Sequence, residues 1–102
     1  MSEFDVLTNL LRDFAKARDW EKFHTPKNLA MALVGEAGEL VAEFQWLTPT
    51  ESQVGVLPDE KLKAISLEMA DVQIYLLRLA DVLEINLPQA VRSKIEINEN
   101  RF

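Results

Sequence analysis

Residues 33–44 read LVGEAGELVAEF: three glutamates and two glycines set among apolar residues, with no lysine or arginine. On a helix turning ~100° per residue, Glu36, Glu39 and Glu43 project within about 60° of one another and form a single acidic stripe. The opposite side is Gly35, Gly38, Ala42 and Gln45, and the remainder is Leu33, Val34, Ala37, Leu40, Val41 and Phe44. No ordinary solvated face is left, so this helix is expected to be enclosed on most sides. Each glycine costs a helix about 1 kcal/mol relative to alanine. Close approach of another backbone is the expected reason for keeping both.

The helical reading extends in both directions. Upstream, Thr25-Pro26 is a cap followed by a first-turn proline, so the acidic helix is expected to run from there to about Trp46. Before it, "RDWEKFHTP" is a connection rich in aromatic residues. A first helix precedes that connection, with Ser2 as cap, Asp5 answering three residues later, and Phe4, Leu7, Leu10, Leu11 and Phe14 at helical spacing to about Arg18. Downstream, "LTPTESQVGVLPD" has two prolines and a glycine and reads as the one long loop. A third helix is expected over about Asp59 to Leu83. "EINLP" breaks it, and Pro88 in a first-turn position starts a fourth through "QAVRSKIEINEN". Strand alternation, internal repeats and low-complexity tracts are absent. The expected fold is all-α, a four-helix bundle in one domain.

Helix three repeats the acidic arrangement. Glu68 and Asp71 are i and i+3, Tyr75 continues the row, and from Ala64 to Leu77 these carboxylates are the only charges. Like charges gathered at low dielectric raise one another's pKa or push helices apart, and a divalent cation resolves the conflict. Oxygen-only ligands in a chain with no cysteine and one histidine select a hard ion, Mg²⁺ with Mn²⁺ as second choice. A di-iron bundle would need Glu-x-x-His pairs, and His24 lies outside both helices.

The totals agree. The chain has 102 residues, 48% apolar and 27% charged, the size and balance of one globular domain. A formal charge of −6 repels nucleic-acid phosphates and anionic membranes. "MSEFDVLTNL" lacks the basic and apolar blocks of a signal peptide, and no apolar run approaches the ~18 residues of a membrane span. A cytoplasmic chain that binds neither nucleic-acid polymer nor membrane is the expectation.

The order Glu36-x-x-Glu39, 28 intervening residues, Glu68-x-x-Asp71 resembles the all-α nucleoside triphosphate pyrophosphatases of the MazG-like superfamily. "DWEKFHTPKNLAMALVGEAGELVAEFQW", "ADVQIYLLRLAD" and "NLPQAVRSKIEINENRF" look like its dCTP pyrophosphatase branch. The likeness covers nearly the whole chain and is weakest over 47–63. It implies hydrolysis of a deoxynucleoside triphosphate to monophosphate and pyrophosphate, as removal of unwanted nucleotides. It also implies Mg²⁺ held by the residues matching Glu36, Glu39, Glu68 and Asp71, which form the catalytic centre. Positions matching Trp20 through His24, Phe23 among them, and Trp46 and Tyr75 line the substrate site in that family. Lys94 and Asn98 fall in its C-terminal motif as candidates for phosphate or sugar contacts. Close relatives carry a base-contacting histidine where this chain has Leu11, which leaves dUTP, dATP or phosphoribosyl-ATP open beside dCTP. Glu43 matches no metal ligand and is expected in a supporting or interface role.

The chemistry suits these residues without a covalent nucleophile. Attack of water at the α-phosphorus needs neutralised phosphates and a positioned nucleophile, which carboxylate-bound magnesium and a spare carboxylate can supply. Such apolar helices on so short a chain are expected to associate as a homo-oligomer that completes the site across subunits. The resemblance implies a dimer unit and commonly a tetramer. The competing reading is a non-catalytic helical module whose acidic rows bind a partner or only maintain solubility.

Overall fold

The computed structural model describes residues 1–102 and is entirely helical, as the patterning predicts. Helix α1 spans Glu3–Ala17, a single 3-10 turn spans Glu21–Phe23, α2 spans Pro26–Ala42, α3 spans Asp59–Val82 and α4 spans Leu87–Arg101. The starts are built as the sequence indicates. At α1 the Ser2 hydroxyl accepts the Asp5 amide at 3.1 Å while the Asp5 carboxylate accepts the Ser2 amide at 3.4 Å, the reciprocal capping box. At α2 the Thr25 hydroxyl accepts the Asn28 amide at 3.2 Å, with Pro26 in the first turn. Asn86 does the same for α4 through the Gln89 amide at 3.1 Å, a cap that the reading from Pro88 did not name.

Two helix ends determine where the connections leave. Asp19 (φ 56°) and Glu84 (φ 57°) both occupy the left-handed region. Around them the Trp20 amide reaches back to the Ala15 carbonyl and the Ile85 amide to the Ala80 carbonyl, at 2.9 and 2.8 Å. These are Schellman closures without glycine. The first fixes Trp20 at the head of the aromatic connection, where its ring meets Phe14 edge-on at 5.7 Å between centroids.

Helix α2 ends four residues earlier than expected, at Ala42 instead of near Trp46. Beyond Val41 the amides bond three residues back, Glu43 to Leu40, Phe44 to Val41 and Leu47 to Phe44, so the last turns tighten and leave the α-helix. Trp46 therefore sits in a turn, 87% exposed.

Helices α2 and α3 pack antiparallel along most of their length, and α1 lies against α3. The buried apolar residues are Leu29 on α2, Ile65, Leu77 and Ala80 on α3 and Ala15 on α1. Helix α4 makes no extensive contact with the other three, and its Val91, Ile95 and Ile97 are exposed. The expected enclosure of α2 is not found within one chain. Val34, Val41 and Met31 are exposed, and a Cβ added at Gly35 or Gly38 would meet nothing within 4 Å. No backbone of this chain approaches either glycine. No helix is long and apolar enough to cross a membrane.

Candidate functional site

The α2–α3 interface brings the acidic rows face to face. Along α2 the partly buried positions Leu33, Glu36, Leu40 and Glu43, with Ala32 beside the first, follow one another three or four residues apart, the stripe a helix turns toward its neighbour. Glu36 and Glu43 fall on that stripe, and Glu39, one step round the helix, is exposed. On α3, Glu68 occupies the equivalent stripe. Oxygens of Glu36, Glu68 and Asp71 lie within 4.8 Å of one another.

Glu43, the other glutamate on the α2 stripe, has a different fate. It accepts a hydrogen bond from Lys61 Nζ at 2.9 Å. Glu43 is seven residues beyond Glu36, and Lys61 is seven residues before Glu68. The antiparallel register that joins the carboxylates at one level therefore joins an ion pair two turns away. The sequence reading did not identify Lys61, and found no cation near the acidic rows because it lies 18 residues from its partner.

No lysine or arginine pairs with Glu36, Glu39, Glu68 or Asp71. The Glu68 carboxyl is consequently held above its ordinary pKa, first by partial desolvation and then by the charges of Asp71, Glu39, Glu36 and Glu43. Three converging carboxylates with no neutralising side chain form an oxygen-only donor set of the kind that a hard divalent cation requires. The residues present fit such an ion.

The remaining sequence candidates divide by location. Trp20, Phe23 and His24 share the connection between α1 and α2, with Trp20 43% and Phe23 59% exposed. The Trp20 and His24 rings lie 6.4 Å apart. Tyr75 is half-buried on α3, one turn beyond Asp71, and its hydroxyl makes no hydrogen bond within the chain. Lys94 and Asn98 are on α4, and neither bonds any of the four carboxylates.

The sequence reading also missed a polar chain that crosses the fold. Arg78, 6% exposed, is the single buried charged residue. Its Nη1 donates to Asp81 Oδ2 at 3.0 Å and its Nε donates to His24 Nδ1 at 3.2 Å. Asp81 also accepts Arg12 Nε at 3.0 Å and Arg12 Nη2 at 2.6 Å. The Arg12 hydrogen bond, with the charges of Arg12 and Arg78, holds the Asp81 carboxyl below its usual range against the opposing effect of burial. His24 is likewise held below its ordinary value, by burial first and by Arg78 second, against the smaller pull of Glu21. A signal did exist: Arg78 interrupts the apolar run "IYLLRLADVL" with an acid three residues on, and a charge in such a run needs a partner.

No family model matches the chain. It is 46% identical over 96 residues to dCTP pyrophosphatase 1 of Mus musculus and 47% identical over 97 residues to that of Homo sapiens. Each match covers 94% of this chain and 56% of the relative, so the chain spans about half the length of the curated relatives it matches. Among solved structures, the crystal structure of a pyrophosphatase from Archaeoglobus fulgidus DSM 4304 matches with a TM-score of 0.90 and 41% identity. That likeness covers 100% of this chain and 94% of the archaeal one.

Proposed function

This chain belongs to the MazG-like family of all-α nucleotide pyrophosphatases, and we propose that it hydrolyses a deoxynucleoside triphosphate, dCTP or a modified dCTP first among them, to the monophosphate and pyrophosphate. The observation that carries the reading is the meeting of Glu36, Glu68 and Asp71 within 4.8 Å across two helices, with no cation of the chain beside them. Glu39, exposed at the rim, completes the ligand set. Mg²⁺ bound there supplies the positive charge that lets an acidic surface accept a triphosphate.

The side chains do the rest. Water adds to the α-phosphorus, the bond to the oxygen bridging the α- and β-phosphorus atoms breaks, and pyrophosphate departs. A carboxylate of the group left free to act as base takes the proton of the water. Trp20, Phe23 and Trp46 offer apolar faces on which a base can stack, and His24 and Tyr75 offer hydrogen-bonding groups. Lys94 and Asn98, as contacts to phosphate or sugar, reach the site from the α4 of a second copy.

Two features support that homo-oligomeric arrangement. The chain exposes 7821 Å², about 2000 Å² more than the ~5800 Å² expected for a compact chain of this mass. Its radius of gyration is 16.2 Å, against ~13 Å for a compact domain of about this length. An excess of that size is what a large interface covers, and the open flank of α2 at Gly35 and Gly38 is available to it.

Pyrophosphate release from a panel of nucleoside triphosphates, with and without Mg²⁺, tests the proposal. The expected result is Mg²⁺-dependent pyrophosphate with no orthophosphate, abolished in Glu39→Ala and Asp71→Ala. Orthophosphate as the primary product, or no turnover of any nucleotide by the wild type, defeats it. The panel also tests base preference, because Leu11 places an apolar side chain where relatives of the dCTP branch carry a histidine.

A further inference from the structure

The aromatic connection and α3, which bears Glu68 and Asp71, are joined by one buried side chain. Arg78 lies seven residues beyond Asp71, on the same face of α3 and about 10 Å further along its axis. There its guanidinium meets His24 at the end of the aromatic connection, 54 residues away in sequence. A guanidinium has only donors, so the ring nitrogen it meets must be an acceptor. Nδ1 is therefore unprotonated, and the imidazole proton resides on Nε2. Behind Arg78, Asp81 and Arg12 complete the chain and fix the guanidinium plane.

We infer that Arg78 is a positioning residue for the nucleotide: it holds His24 neutral, with Nε2–H as its one donor, and thereby presents that donor to an oxygen acceptor of the substrate. The inference rests on the substrate role proposed for His24 and goes beyond it by assigning the side chain that sets its protonation and orientation. Two charged groups act on the ring from close by: Arg78 opposes a second proton and the exposed Glu21 favours one, while Asp81, behind Arg78, is neutralised by both arginines. The contact also ties the Trp20–His24 connection to the helix that bears Glu68 and Asp71, so one residue sets the spacing between the base-stacking and phosphate-binding ends of the site. A donor fixed in this way selects an acceptor and rejects another donor, so it discriminates among nucleotides by hydrogen-bonding pattern in addition to charge.

The chain has a single histidine, so its imidazole nitrogens can be observed without ambiguity. Two-bond proton–nitrogen spectra of ¹⁵N-histidine-labelled protein near pH 7.5, with no nucleotide present, should show one neutral Nε2–H tautomer. In Arg78→Met, which removes the donor, the same spectrum should become an average of both tautomers. A wild-type ring protonated on Nδ1, or averaged, overturns the inference whether or not the protein is an enzyme.

Kinetics then test the link to substrate. Arg78→Met and His24→Ala should each raise KM by about 3- to 10-fold, the range a single neutral hydrogen bond supports, with kcat changed less. The double variant should be no worse than His24→Ala alone, because Arg78 acts through His24. His24→Gln, which keeps a donor near the Nε2 position, should recover most of the loss. Additive losses, or an unchanged KM in His24→Ala, refute the positioning role. His24 is only half-buried, so its two variants preserve this test even if Arg78→Met does not fold. A correct tautomer in a protein that hydrolyses no nucleotide would instead count against the proposed activity.

Discussion

Replacing Asp81 by alanine removes the one carboxylate that binds two arginines from different helices. The side that faces Arg12 is half open, with 52% of the arginine side chain exposed, so that guanidinium returns to water and little is lost. The side that faces Arg78 is closed, with side-chain exposures of 7% and 13% for the arginine and aspartate. Removing one partner of a buried pair costs about 3–5 kcal/mol, because the other charge is left uncompensated. The lower end applies here, about 3 kcal/mol, since Arg78 keeps its hydrogen bond to His24 and the rim of the pair touches solvent. Urea denaturation at fixed protein concentration measures this as a lower midpoint with an unchanged slope, a shift of roughly 1–3 M for a domain of this size. The diagnostic variant is Asp81→Ala/Arg78→Met. An apolar residue of similar reach removes the orphaned charge, and replacing both members of a buried pair is often neutral or stabilising, so the double variant should be more stable than Asp81→Ala. A loss below about 1 kcal/mol in the single variant, or a double variant less stable than the single, would refute the argument that the burial of Arg78 sets the cost.

The pH dependence should run in two directions. Asp81 and His24 both titrate below their ordinary values in the folded chain, so the unfolded state binds more protons and their contributions are complete above about pH 6.5 for His24 and about pH 4 for Asp81. Stability should fall as pH drops through each folded value, and His24→Gln should remove the upper of the two losses in a thermal-melt series. Glu68 has the opposite sign: its raised value favours the protonated form in the folded state, so its contribution is present at low pH and lost as pH rises through the folded value. In chelator at neutral pH, Glu68→Gln should therefore melt above the wild type, and adding Mg²⁺ should raise the wild type's melting temperature much more than the variant's. Equal Mg²⁺ responses would dissociate the carboxylate group from metal binding. Glu84, in the left-handed region without being glycine, carries roughly 1 kcal/mol of strain. Glu84→Gly should be neutral or stabilising in calorimetry and Glu84→Val clearly destabilising.

The features legible in the sequence are those decided within a few residues. The Ser2–Asp5 capping box, the Thr25–Pro26 start and the acidic stripes depend on spacings of three, four and seven, which helical geometry converts directly into position. The common register of α2 and α3 was legible only in part. Equal acidic rows suggested that they meet, but the ion pair between Glu43 and Lys61 depends on a loop length that no local rule fixes. The polar chain was hidden for the same reason: Arg12 and Asp81 are 69 residues apart, and Arg78 and His24 are 54 apart. A count of charges along α3 that stops at Leu77 ends one residue before the arginine that matters most. The early end of α2 also lacked a local signal, since neither glycine nor proline occurs between Val41 and Trp46. For the glycines at 35 and 38, composition records that room is kept, and not for whom; no backbone of this chain fills it.

The surplus surface has a consequence for how the protein behaves in time and number. Only six of 102 residues are buried, so one copy alone leaves much of its apolar surface in water. If the proposed oligomer forms, mass action stabilises each copy, and dilution then acts on it as heating does. If the site needs α4 of a second copy, catalytic output would not scale linearly with protein at low abundance. It would rise with a higher power of concentration until the copies are paired, and the proposed activity would have a threshold in abundance.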